Sequence, residues 1–142
     1  MKILKKMTNG ILLILIGILH TRLGVSADGL GRQFWKFSES GFFQISRGMD
    51  EMPAIAGKTN FENFAAFWFF YFGILLIPLG LLVHSIEKEG RKLPHYFTIS
   101  YLVFVLIGCF MIPKSGMTMI MLPHALYMLV RNYMPGNREP VR

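Results

Sequence analysis

Cysteine and charged residues are both scarce in this chain of 142 residues. Cys109 is the only cysteine, which excludes a disulfide within the chain and a thiol redox pair, and leaves no c-type haem attachment motif. Charged residues make up 16% of the sequence, whereas soluble domains usually carry about a quarter. Hydrophobic residues make up 53%, and the mean hydropathy is +0.44. This composition is typical of an integral membrane protein.

Four apolar stretches predict four transmembrane helices, because a bilayer core of roughly 30 Å needs about 20 mostly apolar helical residues. The predicted helices cover residues 8–25, 61–84, 95–112 and 116–133. Pro113 and Gly116 predict a hairpin between the last two, and the charged segment 87–94 separates the second from the third. We therefore predict an all-α integral membrane protein, a four-transmembrane-helix bundle that forms one domain over residues 1–142.

The basic residues predict the orientation of this bundle, since they concentrate in the cytoplasmic flanks and loops of membrane proteins. With the amino terminus inside, the cytoplasmic side collects nine of them: Lys2, Lys5, Lys6, Lys88, Arg91, Lys92, Arg131, Arg138 and Arg142. We predict a multi-pass protein of the bacterial cytoplasmic (inner) membrane with both termini cytoplasmic. The isoelectric point of about 9.8 then reflects a basic face against anionic lipid, and no nucleic-acid partner is predicted.

The amino-terminal segment also resembles a secretory signal peptide. Basic residues precede an apolar core over residues 11–19, and small residues follow at Val25-Ser26-Ala27. His20 and Arg22 are unusual between such a core and a cleavage site. We therefore expect residues 1–27 to be retained as the first helix, with cleavage as the alternative.

Small residues recur every seven positions in the first two predicted helices: Gly10, Gly17 and Gly24, then Ala66, Gly73 and Gly80. Helices in lipid associate through close van der Waals approach, so these two helices are expected to pack against each other. His20 lies three residues after Gly17 and four before Gly24, which places it on the packed face. A homo-oligomer formed through the glycine faces is an alternative.

Ionisable residues inside a membrane are costly and commonly mark functional sites. His20 and His124 lie at similar depths from the outer surface, which predicts one site in the outer half of the bundle. Pro123 is expected to kink the last helix and free the carbonyl of Met119. Tyr127 follows His124 by one turn on the same face. The alternative is that the two histidines form interhelical hydrogen bonds that only hold the bundle together.

Two charged residues lie near the predicted mouth of this site. Arg22 lies about 200° around the helix from His20, and it is expected to extend to the outer lipid head groups. The alternative is an ion pair with Glu62, which would bind an acidic or polar ligand head. The remaining two histidines are predicted to end helices at the cytoplasmic interface with structural roles: His84 and His95.

The outer loop over residues 26–60 is long for a protein of this size, and such loops are commonly functional. Between Leu30 and Ile45 the apolar residues recur every three or four positions among charged ones. This pattern predicts an amphipathic element that lies in the membrane interface. It either covers the outer end of the bundle as a lid or serves as a plain surface anchor.

Three short motifs carry a family resemblance: Gly17-Ile18-Leu19-His20, Phe67-Trp68-Phe69 with Gly73, and Pro113-Lys114-Ser115-Gly116. Together they resemble an uncharacterised bacterial family of small integral membrane proteins with four short helices. More loosely, the chain resembles the DoxX-like four-helix proteins, some of which are associated with quinone-linked oxidation. The resemblance covers nearly the whole chain and implies a four-helix membrane fold, but it supplies no catalytic residue.

No residue pattern specifies a reaction, so three functions remain open. The first is binding of a lipid-like or quinone-like hydrophobic molecule, or an accessory-subunit role, with ligand contacts from His20, His124, Tyr127, Arg22 and Glu62. The second is a quinone-linked or haem-linked redox subunit in which His20 and His124 are axial haem ligands. The third is a membrane enzyme acting on a lipid, with a histidine base and Glu62 as the partner acid. The lipid bilayer is the predicted partner, and no metal site is predicted.

Overall fold

The computed structural model describes residues 7–29, 31–32 and 61–133, and for residues 61–64 and 117 it describes the backbone alone. Most of the described residues lie in four α-helices and one π-helical turn: α1 (Asn9–Val25), α2 (Phe61–Lys88), α3 (His95–Met111), the turn Met117–Met121 and α4 (Leu122–Tyr133). The predicted all-α class is confirmed. The predictions for both termini and for most of the outer loop, including its amphipathic element, lie outside the described residues.

The chain divides into two compact units. One comprises Met1–Ile16 and Ile77–Arg142, and the other comprises Gly17–Leu76. The first unit therefore contains the amino-terminal half of α1, the carboxyl-terminal part of α2 and all of α3 and α4. The second contains the remaining parts of α1 and α2. The single domain over residues 1–142 stays a prediction.

Helix α2 continues four residues beyond its predicted end at His84, because Glu87 and Lys88 are good helix formers although they are too polar for lipid. Gly90 lies two residues beyond the end of the helix at Lys88, and its φ of +75° favours glycine. The Gly90 N–H donates to the Glu87 carbonyl at 3.1 Å, and the Arg91 N–H donates to the Ile86 carbonyl at 3.2 Å. These two bonds form a Schellman motif, which satisfies carbonyls at the helix end.

The glycines of α1 and α2 mark close contact between the two helices, as predicted. In the first unit, a Cβ atom at Gly80 would lie 2.7 Å from the Gly10 carbonyl oxygen and 2.9 Å from the Ile14 nitrogen. In the second unit, a Cβ at Gly73 would lie 3.1 Å from the Gly17 carbonyl oxygen. Only glycine permits such an approach of two backbones. Association of separate copies through these faces stays a prediction.

The helices differ in whether they are long and apolar enough to cross a bilayer. Among the described residues, one helical segment, Ala65–Lys88, is long and apolar enough to do so. Helices α1 and α3 are apolar but contain 17 residues each, which corresponds to roughly 25 Å. The structure thus confirms four helices, whereas the transmembrane bundle stays a prediction.

The described residues combine many exposed large apolar side chains with several buried polar ones. Large apolar side chains are exposed along all four helices, and on α3 Phe110 and Met111 are 87% and 72% exposed. The buried set includes six polar or charged residues: Thr8, Asn9, Glu87, Thr98, His124 and Asn132. In soluble proteins such residues lie mostly on the surface. The apolar outer surface therefore requires an apolar environment or a covering partner.

The predicted irregularity near Pro123 takes the form of the π-helical turn that precedes α4. Proline has no N–H, so the carbonyl of Met119 lacks its usual α-helical donor. Single π-helical turns are frequent at functional sites. His124 follows directly after this proline and points into the first unit, where it is buried.

Candidate functional site

His124 forms a hydrogen-bonded pair with Tyr101 inside the first unit. The Tyr101 hydroxyl lies 3.1 Å from His124 Nδ1, and the two rings meet edge to face with centroids 5.7 Å apart. The imidazole also lies beside the backbone of Asn9. His124 is only 6% exposed, yet its Nε2 makes no hydrogen bond.

Asn9 is the first residue of α1 and is held by a buried carboxylate of α2. Its Nδ2 donates to Glu87 Oε1 at 2.6 Å, and the Gly10 N–H donates to Oε2 at 3.3 Å. Glu87 thus satisfies an otherwise unpaired N–H at the positive end of the α1 dipole. The remaining amide atom, Asn9 Oδ1, is buried and makes no hydrogen bond.

Thr8 caps the same helix end and ties it to His84. The Ile11 N–H donates to Thr8 Oγ1 at 3.2 Å, which is the usual N-cap bond. Thr8 Oγ1 also lies 2.8 Å from His84 Nδ1. His84 therefore contacts the start of α1, in line with its predicted structural role. We refer to the six residues that meet here as the polar cluster: Thr8, Asn9, His84, Glu87, Tyr101 and His124.

Two residues in the last turns of α4 form hydrogen bonds with the backbone of other segments. Asn132 Oδ1 accepts from the Leu93 N–H at 3.0 Å, and its Nδ2 donates to the Leu93 carbonyl at 2.8 Å. Arg131 donates to the Met7 carbonyl and, at 3.3 Å, to the Tyr127 hydroxyl. These hydrogen bonds connect the segments that precede α1 and α3 to α4.

His20 lies in the second unit, among aromatic side chains of α2. Its ring stacks on Phe69 with centroids 3.8 Å apart and an interplanar angle of 21°. Phe72 meets the same ring edge to face at 5.3 Å. His20 Nδ1 is buried and makes no hydrogen bond. The inward position that the glycine spacing predicted for His20 is confirmed.

The other predicted site residues have different surroundings. Tyr127 is 39% exposed and bonds to Arg131, so the phenol that reaches His124 is Tyr101 instead. Arg22 is exposed in the last turn of α1. Glu62 lies in the first turn of α2, where the structure describes the backbone alone. His20 and His124 belong to different units. That the two histidines contribute to one site therefore stays a prediction.

Sequence reasoning singled out only His84 and His124 and missed the other four members of the polar cluster: Thr8, Asn9, Glu87 and Tyr101. Thr8 appeared only as the start of the first predicted helix. Asn9 stands at the start of an apolar stretch, and a polar residue there is also an ordinary helix cap. Glu87 was placed in a charged loop, and Tyr101 resembles any aromatic residue of a membrane helix. A buried histidine is expected to have a hydrogen-bond partner, but nothing in the sequence indicates which residue supplies it.

The chemistry available in the polar cluster is hydrogen bonding at two unpaired buried atoms, His124 Nε2 and Asn9 Oδ1. Within residues 7–29, 31–32 and 61–133, no group of three or more His, Cys, Asp or Glu side chains is arranged to hold a metal ion. Axial haem ligation and quinone binding stay predictions.

Comparison with protein families gives one reported match over nearly the whole chain. The model of a family of unknown function, DUF6463, matches residues 5–135. Comparison with curated proteins and with solved structures gave no match. The match agrees with the expected resemblance to an uncharacterised family, whereas the DoxX-like resemblance is not supported by these comparisons.

Proposed function

Since this chain belongs to the DUF6463 family of unknown function, we propose from its geometry that it is an integral membrane protein that binds a lipid-like or quinone-like molecule through inward-facing polar groups. The membrane part of the proposal is supported by the many exposed apolar side chains together with the buried polar ones. Many leucine and isoleucine side chains and Phe110 face outward, while Asn9, Glu87 and His124 are buried. Hydrocarbon favours this arrangement, since it tolerates apolar side chains and requires polar ones to be paired internally.

The short helices fit this proposal. A bilayer thins locally around a short apolar segment, and flanking basic side chains extend to the head groups at a modest free-energy cost. Lys88 and Arg131 are the basic residues in the last turns of α2 and α4, at the ends proposed to face the cytoplasm. The π-helical turn and α4 together span residues 117–133, the same length as α1.

The membrane proposal predicts the behaviour of the chain in cell fractions. Full-length protein is expected to remain in the membrane pellet after an alkaline carbonate wash and to be released by detergent, because its apolar surface partitions into lipid. A carboxyl-terminal fluorescent-protein fusion is expected to fluoresce, and a carboxyl-terminal alkaline phosphatase fusion to be inactive, since both termini face the cytoplasm. Release by carbonate would contradict the membrane position. An active phosphatase fusion would contradict the orientation.

The binding part of the proposal is carried by one observation. Both histidines that face inward, His20 and His124, have a buried ring nitrogen without a hydrogen-bond partner. Such an unsatisfied group costs about 1–3 kcal/mol, and a bound polar group would remove that cost. A molecule with a polar head and an apolar body suits both the nitrogen atoms and the apolar helices around them.

Binding predicts a ligand-dependent rise in thermal stability. Adding decylubiquinone or phosphatidylglycerol to protein purified in mild detergent is expected to raise Tm, since a ligand at 100 times its Kd stabilises by about 2.7 kcal/mol. His20→Phe, which keeps the aromatic contact with Phe69, and His124→Phe are each expected to reduce the rise by at least half. His95→Phe, at an exposed histidine, is the matched control and is expected to behave as wild type.

Native mass spectrometry of the same preparation completes this test. A lipophilic molecule is expected to co-purify with the wild-type chain. Absence of any co-purified lipophile, together with an unchanged Tm on adding either probe, would overturn the binding proposal. The visible spectrum of protein from haem-supplemented cells distinguishes the haem alternative from the proposed function. If the wild type shows a Soret band that is lost in both His20→Phe and His124→Phe, axial haem ligation would replace the proposal.

A further inference from the structure

Helices α3 and α4 pack against each other in the first unit and expose large apolar side chains along their outer sides. On α3 the exposed apolar side chains run from Tyr96 to Met111. On the π-helical turn and α4 they run from Met119 to Val130. We refer to these two stretches, with the turn between them, as the apolar hairpin. An apolar surface of this extent requires a partner or lipid to cover it.

Charged side chains limit both stretches of the apolar hairpin. Lys92 precedes α3 and Lys114 follows it, and both are exposed. Lys114 also precedes the π-helical turn, and Arg131 lies in the last turn of α4. A charged side chain is costly in the middle of a bilayer, so each stretch has a defined end on either side. The Ser100 hydroxyl, which is exposed within α3, donates to the Phe97 carbonyl at 3.0 Å and is therefore paired without water.

The two stretches are short for a typical bilayer. At about 1.5 Å per residue, Tyr96 to Met111 measures roughly 23 Å and Met119 to Val130 roughly 17 Å along the helix. A typical hydrocarbon core is about 30 Å thick. Basic side chains at the ends extend to the head groups, but the bilayer also thins around a short stretch, at a free-energy cost that rises with the mismatch.

Helix α2 does not set this limit. Its segment Ala65–Lys88 is long and apolar enough to cross a bilayer. A helix that is longer than the hydrocarbon core adjusts by tilting, whereas a shorter one has no such adjustment. The apolar hairpin, as the shorter surface, therefore determines the bilayer thickness that the protein prefers.

We propose that the apolar hairpin fits a hydrocarbon core of roughly 20–25 Å, so that the protein binds phospholipids with short acyl chains in preference to those with long ones. This inference rests on the membrane part of the proposed function. It names the class of lipid that covers the exposed surface, and it concerns the acyl chains rather than the head groups.

Fluorescence quenching by a brominated lipid measures this preference at the hairpin. Phe104→Trp places a reporter at an exposed position in the middle of α3, in full-length protein whose two native tryptophans are removed by Trp35→Phe and Trp68→Phe. In reconstituted vesicles, dibromostearoyl phosphatidylcholine competes with dimyristoleoyl, dipalmitoleoyl, dioleoyl or dierucoyl phosphatidylcholine. Relative binding is expected to be strongest for the dimyristoleoyl or dipalmitoleoyl lipid and to fall at least about threefold for the dierucoyl lipid.

Lys114 provides a matched pair of variants in this reporter protein. Lys114→Leu removes the charged end that both stretches share and is expected to move the strongest binding to longer acyl chains. Lys114→Arg keeps the charge and is expected to show the preference of the parent protein. Circular dichroism in the same vesicles checks that both variants retain their helices.

The remaining outcomes separate this inference from the proposed function. Equal binding of all four lipids, or strongest binding of the dioleoyl or dierucoyl lipid by the parent protein, would overturn the inference. An unchanged preference in helical Lys114→Leu would also overturn it. If wild-type protein still resists the carbonate wash, either result leaves the proposed function standing. Failure to insert into vesicles of every acyl-chain length, together with release by carbonate, would overturn both.

Discussion

Replacing Gly10 with alanine is expected to cost about 3 kcal/mol or more of the free energy of unfolding. The added methyl would overlap the backbone nitrogen of His84 and the carbonyl oxygen of Gly80. Both obstacles are main-chain atoms of a helix, so no side-chain rotation relieves the overlap and the two helices must separate. Separation would also stretch the contact of the Gly10 N–H with Glu87, which is already 3.3 Å long.

Unfolding in a graded series of detergent mixtures, followed by circular dichroism, measures this cost. Gly116→Ala is the matched control, because a Cβ at Gly116 meets nothing within 4 Å. Gly116 is exposed, so that variant is expected to remain within about 0.5 kcal/mol of wild type. Equal stability of the two variants would refute the close backbone contact at Gly10.

Replacing Asn132 with leucine is expected to lower the free energy of unfolding by roughly 2–5 kcal/mol, since a buried donor or acceptor left unpaired costs about 1–3 kcal/mol. The side-chain amide pairs with both the N–H and the carbonyl of Leu93. Asn132 is 1% exposed and Leu93 is 2% exposed, so water does not readily replace the lost bonds. Leucine keeps the branching and the number of side-chain heavy atoms but has no polar atom, and its larger methyl groups add to the cost at this buried position.

The same detergent unfolding assay tests this variant against Ser100→Leu, which also replaces a polar residue with leucine. The Ser100 hydroxyl bonds to the Phe97 carbonyl at an exposed position, so the control is expected to remain within about 0.5 kcal/mol of wild type. A loss of less than 1 kcal/mol for Asn132→Leu would show that the Leu93 groups find other partners.

The helices were predictable because their signals are local. Apolar runs, the hairpin at Pro113 and Gly116, and the heptad spacing of the glycines lie within single stretches of sequence, and each corresponds to a helix, a helix end or a helix contact in the structure. The predicted end of α2 at His84 was too early, because the charged residues that follow were assumed to terminate the helix. Charge excludes a segment from lipid, but it does not oppose helix formation.

The candidate site was predictable only in part. The glycine spacing correctly placed His20 on a packed face, where it stacks on Phe69. For His124, sequence reasoning selected Tyr127, which is a neighbour on the same helix. The structure supplies Tyr101 from α3, because the buried side of α4 faces another helix and Tyr127 faces outward. Helical periodicity places residues on a face but does not say what that face meets.

The sequence by itself determined the all-α class and the position of His20 on a packed helix face, because composition and periodicity report local structure and helix faces. Only the tertiary structure decided which polar groups meet. Asn9 pairs with Glu87 across 78 positions, and Tyr101 pairs with His124 across 23. Such pairs depend on the register between packed helices, which backbone contacts such as that of Gly10 with α2 determine. The buried polar cluster exists only after that packing has formed.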